Sequence, residues 1–284
     1  MQIGIRLHDV NLKGGAEEKS LAGRVKTAAA EGFGCIHLAL DKVLPGAPFY
    51  ESALTEGLGS QVRRICDREN MDVAVLGCYL NLAHPDAAAL AKIHGRYRGT
   101  IRVASLCSAS VVGTETGAPN AQYAYDADTH GKDALLTFMR NLEPVLDCAE
   151  SYGVSLAIEP VYKHIVWNAD RALEVLRGMQ SKNLRIILDP VNLLSVDNVD
   201  ERERVILDAA EKLCEHIAIV HIKDFVRRGG ELISVAAGCG EMDYTSLLRF
   251  VRENKPFVQA TLENTDNANA VAARELIERV YGWA

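Results

Sequence analysis

Short apolar runs that alternate with longer amphipathic stretches constrain the fold of this chain more than any other feature. Eight such runs recur along the 284 residues, each rich in Val, Ile and Leu with little polar alternation. This composition is typical of parallel strands that are buried on both faces. We predict strands at residues 2–7, 35–40, 73–80, 101–107, 154–159, 184–189, 217–221 and 257–263.

The stretches between these runs have helical periodicity, and strands that alternate with helices form parallel sheets. We predict helices at residues 17–31, 51–70, 129–152, 169–180, 200–214, 244–254 and 267–281. Eight strands predict a closed (β/α)₈ barrel, the TIM-barrel fold, with residues 1–284 as one domain. An open doubly wound sheet is disfavoured because no GxGxxG turn follows the first strand. The longest irregular stretches, residues 41–50, 108–128 and 224–243, all follow predicted strands, where barrels keep catalytic loops.

Composition argues against two classes of partner. The net charge of −7 and the lack of long Lys/Arg clusters argue against a nucleic-acid partner. No apolar stretch approaches the roughly 20 residues that a membrane span needs.

Because the strand pattern starts at residue 2 without a basic or long apolar leader, we expect a cytoplasmic protein. The seven cysteines include no CxxC pair, and we interpret them as reduced core residues.

Polar side chains end each of the last four predicted strands. These are Glu159, Asp189, His221 and Glu263, separated by 30, 32 and 42 residues, each close to one strand–helix unit. In a barrel, the ends of consecutive strands face the same mouth, so the four side chains can converge. Three converging carboxylates repel one another and need a cation. With one imidazole they suit Mn²⁺ best, with Mg²⁺, Co²⁺ or Zn²⁺ as alternatives. The alternative interpretation is four ordinary polar residues that cap neighbouring loops.

Several motifs at these positions resemble those of the xylose isomerase-like sugar isomerase and epimerase barrels, in particular the ketose 3-epimerase-like branch. The motifs are Leu156-Ala-Ile-Glu159-Pro, Leu188-Asp189-Pro-Val-Asn192, His221-Ile-Lys-Asp224, Gly238-Cys-Gly240-Glu-Met-Asp243-Tyr and Thr261-Leu-Glu263-Asn. The resemblance covers nearly the whole chain. It implies that Glu159, Asp189, His221 and Glu263 bind a metal ion, and that Glu159 and Glu263 are the acid and base on opposite faces of a sugar. Such a metal ion stabilises the enediolate that forms when a neighbouring C–H loses its proton.

Five further residues are candidates for substrate binding. Arg227 lies six residues after His221, where the family's epimerases have a substrate-contacting arginine. Asn192 stands where their pattern has a histidine, and an asparagine can donate a hydrogen bond to a substrate but cannot carry a proton or a charge. His84, Glu115 and His8 follow the third, fourth and first predicted strands, and loop or turn roles are the alternatives. We assign His37 to structure or solvent, and we place Lys223 on the opposite face of its strand from His221.

These residues predict a metal-dependent isomerase or epimerase that acts on a ketose or a related polyhydroxylated carbonyl compound. A lyase or dehydratase acting on a keto-sugar or inosose is an alternative, because it uses the same chemistry and differs in expelling a hydroxyl. A non-catalytic sugar-binding partner subunit is a second alternative. A nuclease resembling endonuclease IV is disfavoured by Asn192 and by the acidic charge. The family resemblance is also compatible with a homodimer or a homotetramer.

Overall fold

A computed structural model describes residues 1–10 and 19–283 of the chain. Eight parallel strands close into a barrel in the order β1-β10-β7-β6-β5-β4-β3-β2, and a two-stranded antiparallel hairpin, β8-β9, lies outside that sheet. The strands are β1 Gln2–Arg6, β2 Cys35–Leu38, β3 Asp72–Gly77, β4 Val111–Glu115, β5 Leu156–Glu159, β6 Leu184–Leu188, β7 Ile217–Ile222, β8 Asp224–Arg228, β9 Glu231–Val235 and β10 Gln259–Leu262. The predicted (β/α)₈ barrel is therefore confirmed.

Helices connect the barrel strands and pack around them. They are α1 Leu21–Ala30, α2 Leu40–Val43, α3 Glu56–Arg68, α4 Ala87–Cys107, α5 Lys132–Ser151, α6 Ala169–Met179, α7 Arg202–Leu213, α8 Thr245–Asn254 and α9 Ala270–Trp283. The first two residues of the predicted helix 17–31 lie outside the described residues. Across residues 1–10 and 19–283, no helix is both long enough and apolar enough to cross a membrane.

The barrel interior is filled by buried residues from six of the strands. A separate buried cluster contains Cys35, Ala74, Val75, Val111, Ala157, Ile187 and Ile219. A larger cluster packs the outer faces of the strands against the helices. Full burial of a Val or Ile side chain stabilises the fold by about 1.5–3 kcal/mol, so burial on both faces explains the continuous apolar runs in the sequence.

The predicted fourth strand, residues 101–107, is wrong, because this segment is the last part of helix α4. Tyr97, Ile101, Ala104 and Cys107 are buried at helical spacing. The fourth strand is instead Val111–Glu115, inside the stretch 108–128 that we predicted to be irregular.

Gly113 explains why strand β4 was missed in the sequence. A Cβ atom at this position would lie 2.6 Å from Val75 Cγ1 and 2.9 Å from Ile187 Cδ1, inside the barrel. The barrel therefore requires glycine here, although glycine in a short run normally indicates a loop. The polar Thr114 and Glu115 that follow weaken the apolar pattern further.

The predicted irregular stretch 224–243 contains the hairpin of β8 and β9. Gly229 and Gly230 form its turn with φ values of 61° and 81°, a backbone conformation that glycine adopts without strain. The buried Asp224 carboxylate accepts hydrogen bonds from the backbone N–H groups of Gly238, Gly240 and Met242 at 2.8–3.1 Å. These bonds fix the hairpin and the following loop beside the end of β7.

Candidate active site

A cavity of about 450 Å³ lies at the carboxyl ends of the barrel strands. The same alternation that fills the barrel interior places polar groups in this cavity, because residues two apart on a strand share a face. Two residues after the inner apolar positions come His37 on β2, Glu159 on β5, Asp189 after β6 and His221 on β7. The ends of the strands thus form a polar layer directly above the apolar filling.

A larger groove of about 980 Å³ borders this cavity between helix α4 and residues 49–56, and Leu80 and Arg96 line both. Its acidic side chains, Glu51 and Glu56, are 38% and 72% exposed. Each is paired with an arginine of helix α4. Solvent-exposed paired carboxylates are poorly suited to acid–base chemistry, so the candidate active site is the smaller cavity.

The four predicted metal ligands meet at the floor of the cavity. His221 Nδ1 lies 3.3 Å from Glu159 Oε2 and 3.4 Å from Glu263 Oε1. One donor atom each of Glu159, Asp189 and His221 lies within 4.8 Å of the others. All four side chains are buried. The structure brings these residues together, and their role as ligands stays a prediction.

The donor set fits a divalent cation. Both ring nitrogens of the buried His221 lack a hydrogen-bond partner among the described residues. Buried polar atoms normally have a partner, so the absence of one indicates a group that binds there. Carboxylate oxygens and one imidazole nitrogen form a mixed donor set that several divalent ions accept.

The charges of the cluster shift the pKa of each member. Burial by itself lowers the pKa of His221, but the charges of Glu263 and Glu159 raise it to about 9. Burial by itself raises the pKa of Glu159 and Glu263, but the charges of His221 and Lys223 lower both pKa values overall. The pKa of Asp189 is raised, because burial outweighs the charge of Lys223. Glu159 and Glu263 are therefore ionised at neutral pH.

Lys223 lies inside the cluster rather than on the opposite face of its strand, so our expectation for it is wrong. Its Nζ is 2.8 Å from Asp189 Oδ2 and 3.5 Å from Glu263 Oε2, and the side chain is buried. Residues 221 and 223 are two apart, so regular alternation along β7 and just beyond it places both on the inner face. The spacing alone could have predicted this position.

His37 also belongs to the site, although we assigned it to structure or solvent. It is 2% exposed, and its Nδ1 lies 3.5 Å from Glu263 Oε1. Its ring stacks on that of His221 with centroids 5.2 Å apart, and it also contacts the ring of Tyr79, with centroids 5.6 Å apart. The signal in the sequence was its spacing of two residues from the inward-facing Cys35.

Three of the five predicted substrate-binding residues, His8, Glu115 and Asn192, line the cavity. Asn192 Nδ2 donates a hydrogen bond of 2.6 Å to Glu159 Oε1, and its backbone N–H donates to Asp189 Oδ1 at 3.0 Å. Burial lowers the pKa of His8 to about 4, so this imidazole is neutral at pH 7. Asn192 thus orients two of the predicted ligands.

Glu115 is the last residue of β4, and its Cα is the register partner of Glu159 on β5. Tyr123 Oη donates a hydrogen bond of 3.2 Å to Glu115 Oε2, and His164 Nδ1 lies 3.7 Å from the same oxygen. Burial, followed by the charge of Glu159, raises the pKa of Glu115 to about 8. The cavity therefore contains a carboxyl group that keeps its proton at neutral pH.

The other two predicted substrate-binding residues are not brought to the cavity. Arg227 lies on β8 at the surface, where it pairs with Asp200 at 2.7 Å and with Glu241 at 3.2 Å. His84 lies in a turn, where its Nδ1 accepts a hydrogen bond from the backbone N–H of Asp86 at 3.1 Å. Substrate contacts by these two residues stay predictions, which this geometry does not support.

The sequence of the chain matches the family model of the xylose isomerase-like TIM barrel over residues 25–280. The chain belongs to this family. The xylose isomerase-like TIM barrel family thus accounts for the fold and for nearly all of the sequence. No curated protein matches the sequence.

Solved structures of similar fold include proteins with different descriptions. A D-tagatose 3-epimerase-like protein aligns with a TM-score of 0.77 and 17% identity over 100% of this chain and 98% of its own. The IOLI protein with a bound zinc atom has a TM-score of 0.75 and 15% identity over 100% and 99%. The probable 3-DHS dehydratase AsbF from Bacillus anthracis has a TM-score of 0.71 and 16% identity over 97% of both chains. Likeness at such identities shows the shared barrel fold alone.

Proposed function

We propose that this protein is a metal-dependent isomerase or epimerase that acts on a ketose or a related polyhydroxylated carbonyl compound. The observation that carries the proposal is that two buried carboxylates, Glu159 and Glu263, both lie beside His221 Nδ1, at 3.3 and 3.4 Å. The similarity in fold to a D-tagatose 3-epimerase-like protein supports the choice of substrate class. A small sugar in the cytoplasm, rather than a nucleic acid, is the proposed partner.

Glu159 and Glu263 move the proton in this mechanism. Asn192 Nδ2 donates a hydrogen bond of 2.6 Å to Glu159 Oε1, so the other oxygen, Oε2 beside His221, is the one that accepts a proton from the carbon next to the carbonyl. Arg6 Nη1, 3.4 Å from Glu263 Oε2, holds the second carboxylate, which returns a proton to the other face. Glu159, Asp189, His221 and Glu263 would hold a divalent cation, for which the sequence favours Mn²⁺, and this ion would supply a Lewis acid for the substrate carbonyl and the adjacent hydroxyl.

A dehydratase is the second candidate, and Glu115 is the observation that favours it. After a base removes the proton next to the carbonyl, elimination breaks the bond from the β carbon to its hydroxyl. Glu115, with its pKa of about 8, carries the proton that lets this hydroxyl leave as water. The probable 3-DHS dehydratase AsbF shares the fold.

The test is turnover in D₂O after elemental analysis of the purified protein and restoration of the bound metal. Ketoses, aldoses and keto-sugars are the substrates, and products are followed by mass spectrometry and NMR. Incorporation of one deuterium at an inverted or relocated centre, without loss of water, supports the isomerase. Loss of water supports the dehydratase. If the Glu159→Gln variant kept full turnover, the assignment of the acid–base pair would be wrong.

A further inference from the structure

We propose that His37 is an additional imidazole ligand of the metal ion, so that this chain binds the ion through two imidazoles. This inference rests on the metal site of the proposed function and deepens it by naming the class of metal. The observation is a second group of possible donors, His37, His221 and Glu263, that shares His221 and lies beside the four predicted ligands.

The geometry of His37 suits a ligand. One donor atom each of His37, His221 and Glu263 lies within 4.8 Å of the others. The Nδ1 atom of His37 is 3.5 Å from Glu263 Oε1, so His37 and Glu263 could both bind one cation. The stacking on His221, with ring planes only 15° apart, brings the two imidazoles to the same side of the cluster.

Neither ring nitrogen of His37 has a hydrogen-bond partner among the described residues, and the residue is 2% exposed. A side chain that only filled space would leave two polar atoms without water or partner, which is unfavourable. An apolar residue of similar size would avoid that loss. The unpartnered nitrogens therefore indicate a ligand that binds at the cavity.

The backbone is shaped to admit this ring. A Cβ atom on Gly77 would lie 3.0 Å from His37 Nε2 and 2.8 Å from Tyr79 Cε2, so only glycine leaves room for both rings. Lys223 Nζ lies nearer to Asp189 Oδ2, at 2.8 Å, than to Glu263 Oε2, at 3.5 Å, so its positive charge is closest to Asp189.

A second imidazole changes which metal is favoured. Imidazole nitrogen suits Zn²⁺ and Co²⁺, whereas Mg²⁺ and Mn²⁺ prefer oxygen donors. We therefore expect the protein to select zinc or cobalt over manganese, in contrast to the manganese that the sequence alone favours.

The experiment is X-ray absorption at the zinc edge on metal-free protein loaded with one equivalent of zinc. In the wild type, the imidazole scattering is expected to fit two rings per zinc. The His37→Gln variant is expected to show one ring. His8→Gln, which changes another histidine of the cavity, is the control and is expected to keep two. Competition titrations are expected to show that His37→Gln lowers the ratio of zinc to manganese affinity by at least about tenfold.

One imidazole per zinc in the wild type would overturn the role of His37 and leave the proposed function intact. Because the number of imidazoles per zinc is measured in the wild-type protein, this result decides the question even if the His37→Gln variant fails to fold. If no zinc bound, the metal site itself would be wrong, and both proposals would fail. An unchanged affinity ratio in folded His37→Gln would also overturn the inference.

Discussion

Lys223 Nζ lies 2.8 Å from Asp189 Oδ2, inside the carboxylate cluster that we propose as the metal site. The ammonium also reaches Glu263 Oε2 at 3.5 Å, so it contacts two of the four predicted ligands. The charges of these carboxylates raise the pKa of Lys223 above its ordinary range, despite the opposing effect of its burial. The ammonium of Lys223 therefore contacts two of the carboxylates that we propose to bind the metal ion.

We predict that Lys223→Met strengthens metal binding, because it removes a positive charge beside the ion and leaves the carboxylates unbalanced. The dissociation constant for zinc or manganese, measured by calorimetry, is expected to fall by about tenfold or more. The metal-free variant is expected to lose roughly 3 kcal/mol of unfolding free energy, since one partner of a buried ion pair is gone. Lys223→Arg keeps the charge and is the control. Unchanged or weaker affinity in Lys223→Met would show that the lysine does not compete with the metal.

The two-carboxylate mechanism makes a prediction about isotope exchange. With Glu263→Gln, epimerisation or isomerisation is expected to fall by at least about 100-fold, because one of the two proton carriers is lost. Glu159 still removes the proton on its side of the sugar. The C–H group of one epimer therefore continues to exchange with D₂O. NMR of the recovered substrate measures this exchange. Glu211→Gln, an exposed change on α7, is the control. Equal loss of exchange and turnover at full metal content would contradict separate roles for the two carboxylates.

Glu115 predicts the pH dependence of stability in the metal-free protein. Its pKa is raised from 4.5 to about 8, so the folded state binds more protons than the unfolded state between these values. The stabilising contribution of the protonated carboxyl is complete below pH 4.5 and is lost as the pH rises through about 8. Glu115→Gln cannot ionise and is expected to be more stable than the wild type at pH 9 by roughly 1–2 kcal/mol, because solvent at the cavity screens part of the effect.

Urea unfolding from pH 5 to 9 measures this difference. Glu253→Gln, an exposed change on α8, is expected to leave the pH profile of the wild type unchanged. A wild-type profile that matches that of Glu115→Gln over this range would mean that Glu115 titrates normally.

The reassigned fourth strand predicts a sharp steric effect at Gly113. Gly113→Val is expected to lower the unfolding free energy by about 1–3 kcal/mol or more, because its Cβ would press against Val75 and Ile187 inside the barrel. Gly57→Ala, in helix α3 with only Thr55 within 4 Å of the added Cβ, is the control and is expected to be neutral or stabilising. Thermal and urea denaturation measure both. A harmless Gly113→Val would contradict the inward position of this residue.

The sequence predicts the barrel well because strands buried on both faces leave continuous apolar runs. The spacing of the strand-end residues Glu159, Asp189, His221 and Glu263 also predicts that they meet, since each lies close to one strand–helix unit from the next. Strand β4 is missed because the barrel needs glycine at position 113, and helix α4 has an apolar face that resembles a strand over residues 101–107.

Single residues are harder to place than repeated patterns. His37 and Lys223 belong to no repeating motif, and only a strict count of two residues along their strands puts them inside the barrel. Arg227 is misplaced for a different reason, because the β8-β9 hairpin takes it to the surface, where Asp200 and Glu241 are its partners. The sequence does contain a signal for this hairpin, because the Gly229-Gly230 pair separates two short runs by two residues, and it could have predicted the turn.

Anomalous diffraction from crystals of the protein soaked in zinc or manganese tests the central claim most directly. We predict one strong peak in the cavity, about 2.0–2.6 Å from donor atoms of Glu159, Asp189, His221 and Glu263. No peak among these four side chains, in crystals that bind the same ion elsewhere, would contradict the metal site and the mechanism built on it.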